Sequence, residues 1–252
     1  MNTATINKMN QMRLLGMKDA YEIQLETRHE LTCDEAIAML VDAEWESRQT
    51  RKMQRYIKQA RFRYQAAIED IDFLTPRNLD KTQMIRLADC SFIEKGENIL
   101  ITGPTGVGKS YIASALGHQA CLKGHRTAYA NLQKLLSMLR MSKADQSYLK
   151  QMQRLEKADL VIIDDFGLQP LDHENRMMLL EMIEDRHGQK SIIISSQLPV
   201  KNWYEIIGDK TIADAILDRI VHQSHRIELK GESMRKLKSK SQTKYVKTKS
   251  EN

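Results

Sequence analysis

Cysteine, proline and long apolar runs are scarce in this sequence. Its three cysteines are widely spaced and form no C-x-x-C pair, which argues against a disulfide framework or a zinc site, so we expect reduced thiols. No apolar run approaches the roughly 20 residues that a membrane helix requires, and the polar start MNTATINKMNQ does not resemble a signal peptide. We therefore expect a cytoplasmic protein with no membrane partner.

Acidic residues are missing from one segment and almost missing from another. Residues 48–63 contain seven basic side chains and no acid, and residues 230–249 contain eight basic side chains and one acid. Each segment carries a net charge of +7, so the rest of the chain sums to −8, because the total is +6. Basic charge is therefore concentrated at two places.

The pattern along the chain divides it into three regions, which we place at residues 1–75, 76–230 and 231–252. The first reads as helical to about residue 70, with a bend expected at Gly16 and a capping box, Thr32 to Glu35, opening a long helix. The dipeptide Thr75-Pro76 is expected to end this small helical domain. The third region is rich in Lys and Ser, buries little, and is expected to be disordered when free.

The middle region alternates short apolar runs with helical segments. The runs NILIT, TAYA, DLVIID and SIIIS are continuously apolar, as is typical of parallel strands buried on both faces. Helices are expected at about 109–122, 131–141, 145–157 and 173–187. The fold class predicted from this order is α/β, with a parallel sheet covered by helices.

The segment GPTGVGKS lies between the first apolar run and the first of these helices, the context that a Walker A phosphate-binding loop requires. Its glycines let successive backbone N–H groups face an anion at the N-terminus of a helix. Lys109 is predicted to reach the β- and γ-phosphates, and the Ser110 hydroxyl to bind Mg²⁺. The alternative is a glycine-rich turn that binds nothing. The predicted phosphate-binding residues are Gly103, Pro104, Thr105, Gly106, Val107, Gly108, Lys109 and Ser110.

Polar side chains follow two later strands. In LVIIDDFG, Asp164 resembles a Walker B acid that holds Mg²⁺, and Asp165 could orient and deprotonate an attacking water. In SIIISSQLP, Gln197 follows Ser195 and Ser196 at the edge where ligands bind, and could contact the γ-phosphate or that water. The alternative for each motif is a strand end with no ligand.

Two late arginines have more than one interpretation. Arg219 follows a helical apolar stripe, and Arg235 follows Gly231-Glu232-Ser233. Each could pair with an acid for structure, or reach a phosphate across a subunit boundary as an arginine finger does. The residue pattern alone does not decide between these roles.

The basic run at 48–63 is predicted to contact DNA. On a helix its basic residues fall near one face, and a stripe of one sign repels itself unless a polyanion relieves the charge. No sequence code is evident, so contacts mostly to phosphates are expected. The alternatives are a solvated face or a protein contact. The predicted DNA-binding residues are Arg48, Arg51, Lys52, Arg55 and Lys58.

Several segments together resemble one family. GPTGVGKS, VIIDDFGLQPLD, IIISSQLPV, IADAILDRIVH and HRIELKGESMR are similar to the IstB-like helper ATPases of bacterial insertion sequences, and RLLGMKDAY, LVDAEWESR and ARFRYQAAIEDIDF extend the resemblance over nearly all of residues 8–237. The wider group is the AAA+ ATPases that include DnaC-like helicase loaders and DnaA-like initiators. The resemblance implies an AAA+ core over residues 76–230 without a full helical lid.

The same resemblance implies a function and residue roles. It implies binding and hydrolysis of ATP with Mg²⁺, ATP-dependent self-assembly on duplex DNA, choice of a target site, and engagement of a cognate transposase. Asp164 would be the Walker B acid, Asp165 would stand where many AAA+ proteins have Glu, and Gln197 would be sensor 1. Arg219 would match an arginine finger acting in trans, and Arg235 a sensor-2-like arginine.

Three other functions stay open at this stage. A replicative helicase loader would share the ATPase core. A P-loop kinase or GTPase is disfavoured by the Asp-Asp pair with two late arginines and by the lack of an Asn-Lys-x-Asp guanine signature. A scaffold that binds ATP without hydrolysing it would use the same loop.

Overall fold

The computed structural model describes residues 2–27 and 30–236. The basic tail predicted at 231–252 therefore lies mostly outside the described residues. The chain separates into two compact units, Met1–Tyr56 and Ile57–Asn252. This division falls earlier than the boundary near residue 75 that the sequence suggested. The physical reason is that Ala66 and Ile71 are buried in the hydrophobic core of the second unit.

The first unit is helical. It contains α1 (Asn2–Gln11), α2 (Leu15–Thr27) and most of α3 (Cys33–Ala60). The predicted capping box opens α3, because the Thr32 N–H and hydroxyl donate to the Glu35 carboxylate at 2.8 and 2.7 Å and the Glu35 N–H donates to the Thr32 hydroxyl at 3.3 Å. The helix ends at Ala60, where Arg61 takes a left-handed φ of 57°. The expectation of helix to about residue 70 is therefore wrong beyond Ala60.

Gly16 has a different role from the predicted bend. The chain turns just before it, where Arg13 has a φ of 58°, and Gly16 itself lies in the first turn of α2. A Cβ at Gly16 would lie 2.3 Å from the Ala43 carbonyl oxygen. Glycine thus permits close approach of α2 to α3, and the buried Glu44 carboxylate accepts the Gly16 N–H at 2.9 Å.

The second unit is a five-stranded parallel sheet with helices on both faces, as predicted. Its elements, in chain order, are α4 (Lys81–Ala88), α5 (Ser91–Glu94), β1 (Asn98–Thr102), α6 (Lys109–Leu122), β2 (Thr127–Asn131), α7 (Leu132–Ala144), α8 (Tyr148–Glu156), β3 (Leu160–Phe166), α9 (His173–Glu184), β4 (Ser191–Ser196), α10 (Trp203–Ile207), α11 (Lys210–Val221) and β5 (Ser224–Glu228). The strand order is β2-β3-β4-β1-β5. The four apolar runs are β1 to β4, whereas β5 was not predicted from the sequence.

Alternate residues of the central strands enter two separate cores. Leu100 of β1 belongs to the core that includes buried residues of α7, α9 and α11, whereas its neighbours Ile99 and Ile101 belong to the core that includes α4 and α6. A strand between two helical layers needs apolar side chains on both faces. This accounts for the uninterrupted apolar runs and places the carboxyl ends of the strands at one edge.

Candidate nucleotide-binding site

The loop between β1 and α6 is shaped by three glycines with positive φ. Gly103, Gly106 and Gly108 have φ of 145°, 87° and 102°, which side-chain-bearing residues rarely adopt. A Cβ at Gly106 would also lie 2.2 Å from the Ser233 hydroxyl oxygen. Val107 is fully buried and anchors the loop to the core. The loop leads directly into the N-terminus of α6, where a phosphate is favoured.

Lys109 lies across this loop. Its Nζ donates to the carbonyl oxygens of Gly103 and Pro104, both at 2.8 Å. Burial lowers the pKa of Lys109, and the charges of Asp164 and Asp165 only partly oppose that shift. The ammonium is therefore poorly solvated, and a phosphate would compensate its charge.

Asp164 lies at the centre of the acidic side of the site. It is fully buried at the end of β3, where its carboxylate accepts the Ser110 hydroxyl at 2.9 Å and an Arg63 N–H at 3.2 Å. The hydroxyls of Ser195 on β4 and Tyr129 on β2 also donate to it, because both strands neighbour β3. Burial alone would raise the pKa of Asp164, but these hydrogen bonds hold it below the usual range.

Asp165 shares Arg63 with Asp164 and has Asn131 as a further partner. It has a left-handed φ of 59°, and its Oδ2 accepts an Arg63 N–H and the Asn131 side-chain amide, both at 3.0 Å. Gln197 lies opposite, with its Oε1 accepting the Thr105 hydroxyl at 2.7 Å. Residues predicted from two strand ends and from the loop are thus brought together.

A cavity of about 460 Å³ lies at this site. Its walls include most of the predicted ligand-binding residues, namely Thr105, Gly106, Gly108, Lys109, Ser110, Asp165, Gln197 and Arg235. Arg235 reaches the cavity from the segment after β5 and donates to the Tyr64 hydroxyl at 3.0 Å. The segment is fixed to the loop, because the Met234 N–H donates to the Gly106 carbonyl at 2.9 Å.

Arg219 is not among the cavity-lining residues. It lies in the last turn of α11, where it donates to the Ala215 carbonyl at 2.7 Å and pairs with Glu184 of α9 at 2.9 Å. The Arg219 side chain is 28% exposed to solvent. Arg219 therefore has a structural partner within its own chain while remaining accessible.

The donor set fits a magnesium ion. Ser110, Asp164 and Asp165 offer a hydroxyl and carboxylate oxygens, and Mg²⁺ usually takes one or two carboxylates together with substrate phosphates and water. Within residues 2–27 and 30–236 there is no cluster of three or more His, Cys, Asp or Glu side chains that would form an all-protein metal site. Ser110 and Asp164 are the residues that would hold Mg²⁺ with a bound nucleotide.

The predicted DNA-binding residues lie along α3, and two of them have an acidic partner. Arg48 and Arg51 donate to Glu44 at 2.6 and 3.3 Å. Lys52 and Arg55 lie within 6 Å of the Tyr56 ring centroid. Glu44 lies outside the acid-free run, so the sequence pattern did not predict these ion pairs.

Three further side chains contact the acids, and none of them belongs to a site predicted from the sequence. Arg63 was counted only as part of the basic run, and Tyr129 and Asn131 come from β2. Residues on an edge strand carry no local motif. Only the inference that β2 ends beside β3 at the ligand-binding edge could have singled them out.

Comparisons with known proteins agree with this geometry. The profile of the family described as IstB-like ATP binding protein matches residues 7–243. The chain belongs to this family. An insertion-sequence ATP-binding protein of Sinorhizobium fredii, y4pL, is 42% identical over 92% of this chain and 96% of its own length. The ATP-binding protein of insertion sequence IS21 from Pseudomonas aeruginosa is 34% identical over 84% of this chain and 80% of its own.

Solved structures identify the fold of this IstB-like chain. The crystal structure of the DnaC helicase loader superposes with a TM-score of 0.55 at 18% identity, covering 69% of this chain and 98% of that one. The replication initiator DnaA bound to AMPPCP and single-stranded DNA gives a TM-score of 0.57 at 15% identity, over 68% and 52% of the two chains. The predicted AAA+ P-loop core, preceded by a helical N-terminal region, is confirmed. No helix in the described part of the chain has the length and apolarity to cross a membrane.

Proposed function

We propose that this IstB-like protein binds and hydrolyses ATP with Mg²⁺, assembles on duplex DNA, and assists transposition of an insertion sequence. In this role it helps to select the target site and recruits or activates the transposase. The observation that carries the nucleotide part is the convergence of Lys109, Ser110 and Asp165 around one cavity, with the buried Asp164 bonded to Ser110 behind it. Relatives named for insertion sequences support transposition over helicase loading.

Each residue has a distinct task in the proposed reaction. The loop N–H groups and Lys109 bind the β- and γ-phosphates, and Asp165 orients and deprotonates the attacking water. Ser110 and Asp164 would hold Mg²⁺, which would supply neutralisation of the phosphate charge. Gln197 is within hydrogen-bond reach of the loop residue Thr105, which suits contact with the γ-phosphate.

The two late arginines are assigned to the nucleotide sites of different subunits. Arg235 lines the cavity of its own chain and is proposed to contact the bound nucleotide in cis. Arg219 does not line that cavity, so we assign it to the site of an adjacent subunit. Exchange of the Glu184 carboxylate for a phosphate would require only a rearrangement of the exposed part of its side chain. This arrangement would make hydrolysis depend on assembly.

The basic residues of α3 are proposed to contact DNA phosphates. Within residues 2–27 and 30–236, Lys52 and Arg55 form no ion pair like those of Arg48 and Arg51 with Glu44 and lie near the Tyr56 ring instead, so we expect these two cations to contribute more per residue. The charge of the run, seven basic residues and no acid over residues 48–63, supports this assignment.

The test is electron microscopy together with equilibrium binding to duplex DNA in the presence of ATP or ADP. Oligomers on DNA that form with ATP and not with ADP are expected. Replacing Arg51, Lys52 and Arg55 by Ala should weaken binding to unrelated duplexes alike. It should also flatten the slope of log K against log salt by roughly 0.9 per lost phosphate contact.

A matched control replaces Lys95, Lys123 and Lys201 by Ala. These lysines are exposed on the second unit, so the control removes the same charge from a different surface. If both triple variants lose DNA affinity equally, the effect is one of net charge, and the assignment to α3 is wrong.

A further inference from the structure

Arg63 is the basic residue whose position the proposed reaction leaves unexplained. It lies three residues beyond the end of α3, and both of its neighbours are fixed. The Phe62 ring packs edge-on to Tyr129 with centroids 6.3 Å apart, and a Cβ at Gly117 of α6 would lie 2.6 Å from the same Phe62 ring. Tyr64 packs on Tyr111 of α6 at 6.1 Å. The backbone on either side therefore directs Arg63 to one place.

That place is between the two acids at the end of β3. A single guanidinium nitrogen, Nη1, lies 3.2 Å from the Asp164 Oδ2 and 3.0 Å from the Asp165 Oδ2. The Arg63 side chain is 43% exposed and lines the nucleotide cavity. It thus satisfies the negative charge of both acids while keeping room to turn away from them.

The Asp164 carboxylate that accepts Arg63 is also the one that would hold a divalent cation together with Ser110. A guanidinium and a metal ion cannot share it without strong repulsion, because two cations held a few ångströms apart in a partly buried site are poorly screened. Ser110, Ser195 and Tyr129 are neutral donors to Asp164. Among the groups that donate to this carboxylate, Arg63 is therefore the one whose positive charge would repel a metal ion.

We propose that Arg63 is a positioning residue that competes with the divalent cation for Asp164 and Asp165. Metal binding requires the guanidinium to leave these acids and turn into the cavity that it already lines. In this way the segment that continues from α3 sets the metal concentration at which the site becomes ready for ATP. The inference rests on the proposed function, because that function assigns the divalent cation to Asp164.

The experiment measures metal binding directly rather than turnover. Mn²⁺ is titrated into the full-length protein without nucleotide and free Mn²⁺ is followed by electron paramagnetic resonance. Arg63→Gln is expected to bind Mn²⁺ roughly tenfold more tightly than the wild type, because one opposing charge is removed. Arg63→Lys, which retains the charge, should stay closer to the wild type.

Arg61→Gln is the matched control. Arg61 is exposed and two residues away, so its replacement makes the same change in net charge without touching Asp164 or Asp165. It should leave Mn²⁺ affinity unchanged. Arg63→Met, which keeps the aliphatic part of the side chain, provides the same comparison should Arg63→Gln fail to fold.

A second measurement follows ATP binding at increasing Mg²⁺. Arg63→Gln should need less Mg²⁺ than the wild type for half-maximal binding. Unchanged or weaker Mn²⁺ affinity in both neutral variants overturns the competition. Conversely, if no protein binds ATP but the neutral variants still bind Mn²⁺ more tightly, the proposed ATPase function fails and the competition stands.

Discussion

Replacement of Lys109 by Met tests the nucleotide assignment most directly. Met keeps the length of the side chain and suits a position that is only 7% exposed, so packing around the loop should persist. What disappears is the ammonium, which now donates to the carbonyls of Gly103 and Pro104 and is proposed to turn to the phosphates.

The expected loss follows from those contacts. Two hydrogen bonds from a charged donor to phosphate contribute about 3 to 6 kcal/mol, and giving up the two carbonyl bonds offsets about 1 kcal/mol each. A net loss of about 1 to 4 kcal/mol corresponds to a rise in the Kd for ATP of about 5- to 900-fold. ADP, which lacks the γ-phosphate, should lose about tenfold.

Isothermal titration calorimetry with Mg²⁺ and each nucleotide gives both numbers. Lys123→Met is the matched control, because Lys123 lies just beyond the other end of α6 and is exposed. An ATP affinity of Lys109→Met within threefold of the wild type would refute the assignment. So would an equal loss in the control.

Three further predictions concern the acids, the late arginine and the first unit. Asp165→Asn should bind ATP and Mg²⁺ normally yet hydrolyse ATP slowly and trap the DNA-bound oligomer, since Asn tolerates the left-handed φ of Asp165. Asp164→Asn should also weaken metal binding. Normal turnover in both variants, measured as phosphate release, contradicts the Walker B roles. Arg219→Ala should keep monomer ATP binding but lose hydrolysis, and mixing it with Asp165→Asn should restore some activity; no recovery favours a purely structural pairing with Glu184. Glu44→Ala should destabilise the first unit by about 3 kcal/mol in urea unfolding, because a buried carboxylate bonded to Gly16, Met17, Arg48 and Arg51 is lost, while exposed Glu46→Ala should change little. Burial opposes the shift, but these hydrogen bonds lower the pKa of Glu44 from 4.5, so its stabilisation should be present above about pH 4.5 and be lost as the pH falls below it; an Ala variant with the wild-type pH profile would contradict this.

The core of the second unit could be predicted because its elements carry local patterns. Strands buried on both faces are continuously apolar, and the loop glycines and Lys109 follow a fixed spacing. The fifth strand, SHRIE, was not predicted, because Ile227 is its only buried residue. An edge strand of this composition is held by backbone bonds to β1, and such bonds leave no mark on residue type.

The end of α3 and the residues around the two acids could not be predicted from the sequence for a related reason. Charged residues continue past Ala60, so the helical pattern gave no stop, and the left-handed Arg61 ends the helix without glycine. Arg63 is about 100 residues away from Asp164 along the chain. A contact over that separation depends on how Phe62 and Tyr64 pack against β2 and α6, which periodicity does not encode.

The packing of Ser233 against Gly106 has a practical consequence for handling this protein. The phosphate-binding loop is completed by a segment more than 120 positions later in the chain, which contributes the Ser233 side chain and the Met234 N–H. Shortening the chain before residue 231, or fusing a reporter there, would remove one wall of the nucleotide cavity while leaving every residue of GPTGVGKS intact. A truncated protein that fails to bind ATP would then resemble a Walker A mutant. Tags are better placed at the N-terminus, and any fragment intended to keep the nucleotide cavity should extend through Arg235.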